Sequence, residues 1–226
     1  MTLYETSATI TVRNLIIVGG NKMNELQREV LIGCCLGDIS IQEVSNKTHR
    51  FNMTHSIKQG EYLVHKYNIF KDLCNTPYKQ RDTRYPVLYF NTLSNSDIKK
   101  VTECFYNDGI RGVPQNIHEI LTSPRSLAYW FMDDGTCTYN SIVKRMKVRN
   151  STVTLCTDRY TVEEVDLLIS TLQNNFGINS KIKHSKSMKD RYRIYIGTKD
   201  TQKFLDIVEP FIIPSMMYKV KRPYTL

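Results

Sequence analysis

The sequence lacks the long apolar runs, paired cysteines and targeting segments that mark several large classes of protein. No stretch approaches the roughly 18 apolar residues of a membrane-spanning helix, so no membrane association is expected. The six cysteines include no C-x-x-C pair, so buried free thiols in a reducing compartment are expected rather than a zinc knuckle or a disulfide framework. The first 21 residues resemble neither a signal peptide nor a transit peptide. A protein of this kind that works in an organelle is expected to be made there.

Acidic residues are scarce relative to basic ones. The chain has 31 lysines and arginines against 22 aspartates and glutamates, which gives a formal net charge of +9. Such an excess is common in proteins that bind polyanions, above all nucleic acids, although an ordinary basic protein can carry it too. With 226 residues, 41% of them hydrophobic, the chain can form one sizeable domain or two small ones around a true core.

Two short apolar runs, almost a hundred positions apart, each reach an aspartate. The first, LIGCCLGD, ends on Asp38, and the second, LAYWFMDDG, has Asp134 at the matching position when the leucines are aligned. Gly33 and Gly37 lie four apart, so they would let another helix backbone approach closely, which is a reason to keep two costly glycines in a helix. Two helices packed through these glycines and Ala128 would bring the two carboxylates together.

The periodicity of apolar residues predicts the same order of elements in both halves: helix, two strands, helix, two strands, helix. The second pair of strands in the first half is poorly defined. We expect an N-terminal extension (1–23), a first repeat (24–116) and a second repeat (117–226). The expected helices are 24–37, 61–73, 96–106, 161–176 and 198–208, and a further helix begins at Ser123 and Pro124. The expected strands lie within 39–57, 85–93, 136–139, 144–156, 180–184 and 191–196. A loop is expected at 107–116.

Several predicted strands alternate long polar side chains with apolar ones. One face of each sheet would then pack on a core and the other would present cations or hydrogen-bonding groups to a nucleic acid, because side chains alternate between the two faces. A plain solvated face is the simpler reading of any single strand, but three segments of the second half share the pattern. The predicted DNA-binding residues are Arg50, Asn52, Thr54, Arg81 and Arg84 in the first half and Arg145, Lys147, Arg149, Lys181, Lys183, Arg191 and Arg193 in the second.

Two carboxylates held close together must share a proton or be neutralised by cations. Oxygen ligands select Mg²⁺ or similar ions, which keep coordination positions for water and phosphate oxygens. Beneath a basic sheet surface this pairing favours metal-assisted hydrolysis of a phosphodiester. The five histidines lack metal-ligand spacing, and we expect His49 and His55 at the surface.

Both apolar runs resemble the motif of the LAGLIDADG homing endonucleases, in the single-chain form that carries two motifs. The segments 121–140 and 213–219 are especially similar to an intron-encoded yeast member of that family. The resemblance implies an α+β fold of two pseudo-symmetric αββαββα repeats. The motif helices would form the interface between the repeats, and two antiparallel sheets would form a DNA-binding saddle over the major groove.

The resemblance also assigns site residues. By motif position Asp38 and Asp134 would be the catalytic, metal-binding residues, and the backbone carbonyls of Gly37 and Asp133 would lie near the metals. A basic residue is expected near each half of the site to orient water and offset charge on the scissile phosphate: Lys219, and Arg111 where the yeast relative has lysine. The sequence departs from the motif by bulkier residues at four positions: Ile32, Ile39, Tyr129 and Asp133.

The activity implied is a site-specific homing endonuclease that cuts both strands of a long double-stranded DNA target, in the service of intron mobility, and leaves short 3′ overhangs. The expected cofactor is Mg²⁺, with Mn²⁺ able to substitute and Ca²⁺ able to bind without cleavage. A monomer with no obligate protein partner is expected, in an organelle and first of all the mitochondrion. Two alternatives stay open: an intron maturase that binds intron RNA, and a non-cleaving DNA-binding regulator on the same scaffold.

Overall fold

A computed structural model describes residues 22–107, 110–139, 151–184 and 191–220, and the two halves share one plan. The helices are α1 (Glu25–Leu36), α2 (Gly60–Phe70), α3 (Ser96–Thr102), α4 (Ile117–Ile120), α5 (Pro124–Asp134), α6 (Val162–Phe176) and α7 (Thr198–Val208). The strands are β1 (Ile39–Ser45), β2 (Thr48–Ser56), β3 (Lys79–Arg81), β4 (Val87–Asn91), β5 (Tyr106–Asn107), β6 (Ile110–Arg111), β7 (Gly135–Tyr139), β8 (Ser151–Leu155), β9 (Lys181–His184) and β10 (Tyr192–Ile196). Short 3-10 turns occupy Ile57–Gln59, Lys71–Leu73, Glu103–Phe105, Glu209–Phe211 and Pro214–Lys219.

Each half contains a four-stranded antiparallel sheet with the same strand order. The orders are β1-β2-β4-β3 and β7-β8-β10-β9. An identical order at matching places in the chain confirms the predicted repeat of an α+β unit. None of the helices within the described ranges is long and apolar enough to cross a membrane.

Local sequence signals explain where the main helices begin. The Ser123 hydroxyl accepts a hydrogen bond from the Arg125 N–H, and Pro124 occupies the first helical position of α5, as predicted. At the start of α6, Thr161 and Glu164 form the predicted capping box, in which each side chain accepts a bond from the other residue's backbone. The cap at Ser123 fixes where α5 begins, and therefore which residues lie at its carboxyl end.

Helices α1 and α5 pack against each other and form the centre of the molecule. A side chain at Gly33 would overlap the backbone carbonyl of Ser126, and a Cβ at Gly37 would lie 2.5 Å from the Cβ of Asp133. The two glycines therefore permit the close approach that the sequence predicted. Ala128 is buried, but the contacts that require glycine are made by Ser126 and Asp133.

The buried surface of α1 is broader than the stripe that the sequence suggested. Apolar periodicity puts Leu26, Val30, Gly33 and Gly37 on one face, but Leu26 is exposed, whereas Leu31, Cys35 and Leu36 of the other faces are as fully buried as Val30. The helix is enclosed by α2, α3 and α5, so from Val30 onward it is covered on several sides. A single amphipathic stripe is a poor description of such a central helix.

The two histidines of β2 are inside the protein and not at its surface, so that expectation was wrong. His49 and His55 occupy inward positions of the alternating strand, next to Phe51 and Met53. His49 Nδ1 lies 2.8 Å from the hydroxyl of Thr102, so a polar partner accompanies its burial. Of the cysteines, Cys34 and Cys35 are buried free thiols as expected, but Cys104 is exposed.

Two short pieces of sheet were not predicted. Strand β3 completes the first sheet, and β5 pairs with β6 across the predicted end of the helix 96–106 and the start of the predicted loop. Both are short, with no apolar alternation for the sequence to reveal. The predicted strand 144–156 is described only from Ser151 onward.

Candidate active site at the ends of the motif helices

The paired helices deliver both motif aspartates to one place. Asp134 is the last residue of α5, and Asp38 follows Gly37, the residue that caps α1. Burial, followed by the negative charges of Asp38 and Asp133, raises the pKa of Asp134 to about 7. The pKa of the Asp38 carboxyl is raised as well, by partial burial first and then by Asp133. Desolvation and neighbouring carboxylates thus disfavour both charges, which is the electrostatic signature of a site that a cation can complete.

Arg111 and Lys219 occupy equivalent places, each at the carboxyl end of one motif helix. Arg111 donates to the carbonyl of Ile39 at 2.7 Å and of Gly37 at 2.9 Å, and also to the carbonyls of Cys34 and Cys35. Neither helix carries a basic residue in its own last turn. The guanidinium therefore supplies, from a distant segment, the positive charge that a helix carboxyl end favours.

Lys219 does the same for α5. Its ammonium donates to the carbonyls of Met132 at 2.5 Å, Gly135 at 2.9 Å and Phe131 at 3.3 Å, and lies 3.5 Å from that of Asp133. Burial lowers the pKa of Lys219, although the nearby aspartates oppose that shift. The predicted pair of basic residues is thus placed beside the predicted pair of carboxylates.

The motif position of Asp133 implied a role for its backbone carbonyl alone, but its side chain also connects several elements. It is completely buried and accepts from the Lys66 ammonium at 2.6 Å and the Tyr62 hydroxyl at 2.8 Å through one oxygen. Its other oxygen accepts from the backbone N–H of Asp38 at 3.1 Å. Burial, the largest single influence, opposes the charged form, but the charge and hydrogen bond of Lys66 together with the hydrogen bond from the Asp38 N–H keep the pKa of Asp133 below its usual range. The carboxylate is therefore a charged link between α5, α2 and Asp38, which follows the cap of α1.

Lys66 is the functional-site residue that sequence reasoning missed. It is fully buried in α2 between Leu63 and Phe70 on the same face, and its ammonium lies 4.1 Å from the centre of the Tyr62 ring. The ammonium also contacts His55 Nε2 at 3.1 Å. Burial and the Lys66 charge lower the pKa of His55 to about 4, so the imidazole is neutral and accepts this bond. The sequence did contain a signal for its burial, because Lys66 shares the spacing of the apolar residues Leu63 and Phe70 in the helix.

The oxygen ligands around the two aspartates fit a hard cation that is bound partly by the protein and partly by a substrate. Asp134 Oδ2 is buried, and no group in the described residues hydrogen-bonds to it. Within the same ranges no cluster of three or more His, Cys, Asp or Glu side chains forms a complete metal cage. Ions such as Mg²⁺ bind through one or two carboxylates and fill the remaining positions with water and phosphate oxygens. The predicted carbonyls of Gly37 and Asp133 lie nearby, each already facing one cationic side chain.

A cavity of about 420 Å³ opens from Asp38 onto the first sheet. Asn52 and Thr54 line it on the outward face of β2, His55 and Gln59 lie at its edge, and Arg159 reaches it from the second half. Arg50, Asn52 and Thr54 share that outward face, as predicted from the alternation. Arg81 and Arg84 are exposed and stack on Tyr89 and Tyr85.

Two of the four predicted cations in the described part of the second sheet are engaged by Asp158. Lys181 and Lys183 are exposed on β9 and flank the ring of Tyr195. Arg193 lies opposite Lys183 but is paired with Asp158 at 2.6 Å, and Arg191 donates to the backbone carbonyl of Asp158. Arg145, Lys147 and Arg149 lie outside the described residues. Their part in binding DNA stays a prediction, as does that of the other residues on both sheets.

The family model that matches the sequence is that of the LAGLIDADG DNA endonuclease family, over residues 28–204. The chain belongs to this family. A probable intron-encoded endonuclease 1 from Wickerhamomyces canadensis is 32% identical over 213 residues, which are 88% of this chain and 85% of the relative. DNA endonuclease I-ChuI from Chlamydomonas applanata is 27% identical and covers 88% of this chain and 95% of its own length.

One solved structure is similar in fold along most of its length. The homing endonuclease I-WcaI bound to its DNA recognition sequence aligns with a TM-score of 0.78 and 27% identity, over 90% of this chain and 89% of that one. The meganuclease I-SmaMI shares the fold, with a TM-score of 0.53 at 12% identity over 86% of this chain and 88% of that one. The fold implied by the two motifs is confirmed.

Proposed function

We propose that this chain is a site-specific DNA endonuclease that makes a double-strand break in a long target and serves intron mobility. The observation that carries the proposal is the pair Asp38 and Asp134, brought together at the ends of two packed helices with one buried carboxylate oxygen free of any hydrogen bond in the described structure. The family membership and the DNA-bound structure of I-WcaI support double-stranded DNA as the partner.

We further propose that Mg²⁺ is the cofactor, that Mn²⁺ substitutes for it and that Ca²⁺ binds without supporting cleavage. Asp38 and Asp134 would hold it, with the carbonyls of Gly37 and Asp133 beside them. When bound, the ion would lower the pKa of a water and offset charge on the departing 3′ oxygen. The raised pKa of both aspartates supports this assignment, because a cation removes the repulsion between them.

The chain's own residues would position the reacting groups. Arg111 and Lys219 hold the carbonyl ends of the two helices and place positive charge beside the carboxylates, where it also offsets charge on a phosphate. Asp38 with Arg111 and Asp134 with Lys219 would form two half-sites, one from each motif, and such a pair suits phosphates that face one another across the minor groove. Cuts at such phosphates leave 3′ overhangs, which we propose as the product.

Cleavage of a plasmid that carries the uninterrupted allele of the host gene tests the proposal. We expect one double-strand break that requires Mg²⁺, is blocked by EDTA and falls at least a hundredfold in both Asp38→Asn and Asp134→Asn. Asp166→Asn, which changes an exposed carboxylate of α6, is the matched control. Tight binding without any metal-dependent cut by the parent would overturn the endonuclease in favour of a DNA-binding regulator.

A maturase is the second candidate, and one relative favours it. The cytochrome b mRNA maturase bI2 of Debaryomyces hansenii is 26% identical over 227 residues, 96% of this chain. Binding of intron RNA would need neither aspartate. Splicing assistance that survives Asp38→Asn and Asp134→Asn would therefore assign this role, alone or beside cleavage.

We also propose that the protein acts as a monomer in an organelle, with the mitochondrion first. Both motifs are in one chain, so the site is formed without a second copy. The intron-encoded relatives, one of them named for cytochrome b, support an organellar gene.

A further inference from the structure

The Asp133 side chain connects three parts of the molecule beneath the two motif aspartates. Its Oδ1 is held by Lys66 and Tyr62 of α2, at 2.6 and 2.8 Å, and its Oδ2 accepts from the backbone N–H of Asp38 at 3.1 Å. Both Asp133 and Lys66 side chains are fully buried. The backbone of one motif aspartate is thus held by a side chain of the opposite motif.

This contact has no reciprocal partner. When the two motifs are aligned, Asp133 matches Gly37, which has no side chain to reach across to Asp134. A side chain could not be added at Gly37, because its Cβ would lie 2.5 Å from the Cβ of Asp133. Among the residues that the structure describes, the two halves of the site are therefore built differently: the Asp38 half alone has its backbone held by a side chain of the opposite motif.

We propose that Asp133 is a positioning residue for Asp38, fixed from behind by Lys66 and Tyr62, and that it acts on only one of the two strand cleavages. The proposal rests on the endonuclease function proposed above. A carboxylate suits the task because it accepts on both oxygens at once: Lys66 and Tyr62 hold Oδ1, while Oδ2 accepts from the Asp38 N–H. A hydrogen bond to the backbone N–H restrains the main chain that carries the Asp38 carboxylate.

The test compares two double variants that both remove the buried ion pair. Single substitutions would leave an unpaired buried charge and disturb the fold. Lys66→Met/Asp133→Asn keeps a carbonyl oxygen that can accept from the Asp38 N–H, whereas Lys66→Met/Asp133→Leu has nearly the same shape and no acceptor. Lys199→Met/Asp166→Asn makes the same change of charges on the surface and is the control.

The first measurement uses the metal-free protein. We expect the backbone amide proton of Asp38 in the parent to be shifted downfield in NMR spectra and protected from hydrogen exchange. Exchange should be at least tenfold faster in Lys66→Met/Asp133→Leu than in Lys66→Met/Asp133→Asn. An unprotected Asp38 amide in the parent would overturn the proposal without any variant, so the test does not depend on the folding of the leucine protein.

The second measurement follows each strand of a labelled target. The ratio of the two strand-cleavage rates should change at least tenfold between the leucine and the asparagine variants, with nicked circles accumulating in the leucine variant. The Kd for DNA in EDTA should stay within twofold. Equal slowing of both strands would overturn the positioning role and indicate general destabilisation. A parent that cuts neither strand would refute the proposed function, while the amide measurement would still decide whether Asp133 holds Asp38.

Discussion

Several carboxyl groups at the centre of this protein lie where desolvation disfavours their charged form. Three carboxylates, Asp38, Asp133 and Asp134, lie close together and are differently compensated. Asp133 has a buried lysine and a lowered pKa, whereas burial and neighbouring carboxylates raise the pKa of the other two. A charge that is stabilised only when a ligand arrives costs stability in the free protein, which is a common feature of functional sites.

Replacing Asp134 by asparagine should stabilise the metal-free protein at alkaline pH. The folded-state pKa of about 7 lies above that of an unfolded aspartate, about 4. Ionisation of Asp134 therefore leaves stability intact below the unfolded pKa and reduces it as the pH rises through the folded value. We expect Asp134→Asn to gain on the order of 1 to 2 kcal/mol at pH 8.5 in EDTA, allowing for solvent screening, and to lose this advantage near pH 4.

Urea denaturation of the parent and the variant at both pH values, with Asp166→Asn as control, measures this difference. Saturating Mg²⁺ at pH 8.5 should cancel it, because the ion stabilises only the parent's site. A variant that is less stable than the parent at pH 8.5 without metal would contradict this electrostatic account.

At the scale of elements, the interface of α1 and α5 determines the geometry of the site. The helices meet through Gly33 and Gly37, and their carboxyl ends are each covered by a cation from elsewhere, Arg111 or Lys219. A carboxylate at a helix carboxyl end is disfavoured by the helix dipole, and these cations offset that effect. Close packing and end capping together explain how two aspartates can be held side by side.

Gly33→Ala should therefore be strongly destabilising although alanine is the better helix former. The added Cβ would overlap the backbone carbonyl of Ser126, which cannot move without shifting α5. We expect a loss of about 3 kcal/mol in the free energy of unfolding, the upper end of the usual cost of overpacking a core, because the obstructing atom belongs to the backbone. Gly60→Ala is the control, because its Cβ would meet only the tip of Leu88 at 3.1 Å in a helical backbone. Similar effects of the two substitutions would refute the tight-interface account.

The whole molecule combines a repeated fold with unequal halves. The two sheets share one strand order, but the outward side chains of β2 are mostly neutral hydrogen-bonding groups, whereas the described second sheet presents Lys181 and Lys183. Asp158 neutralises Arg193 in part, so the net charge of +9 overstates the charge available on this surface. An asymmetric surface suits an asymmetric DNA target, because phosphate contacts position the protein and polar contacts read bases.

Binding to the DNA target should weaken steeply with salt if these surfaces contact phosphates. Each phosphate contact contributes about −0.9 to the slope of log K against log salt concentration, and we expect a slope of at least about −4 for the parent. Lys183→Ala should reduce that slope by about one unit, whereas Lys199→Ala, exposed on α7, should not change it. Fluorescence anisotropy in EDTA between 50 and 300 mM salt measures the slope. A nearly salt-independent Kd would contradict a DNA-binding saddle.

Much of the fold was readable in the sequence because its signals are local. Apolar periodicity, the Ser123 cap and the capping box at Thr161 depend on residues within a turn of each other, and they predicted most helices and strands. The short strands β3, β5 and β6 escaped, because two or three residues hold no period. The motif duplication predicted Asp38 and Asp134 as the candidate site residues, and it predicted the family, which is confirmed.

The environment of those aspartates was decided only by tertiary structure. Lys66 meets Asp133 across 67 positions of sequence, and His55 is a neutral acceptor because burial first and the Lys66 charge second lower its pKa. Arg111 contacts the carboxyl end of α1 although more than seventy residues separate the two in sequence. Sequence alone determined which residues could carry the chemistry, since motif and periodicity are properties of neighbouring positions. Which charges are paired, capped or left for a ligand depends on packing between distant segments, and only the folded chain determines that.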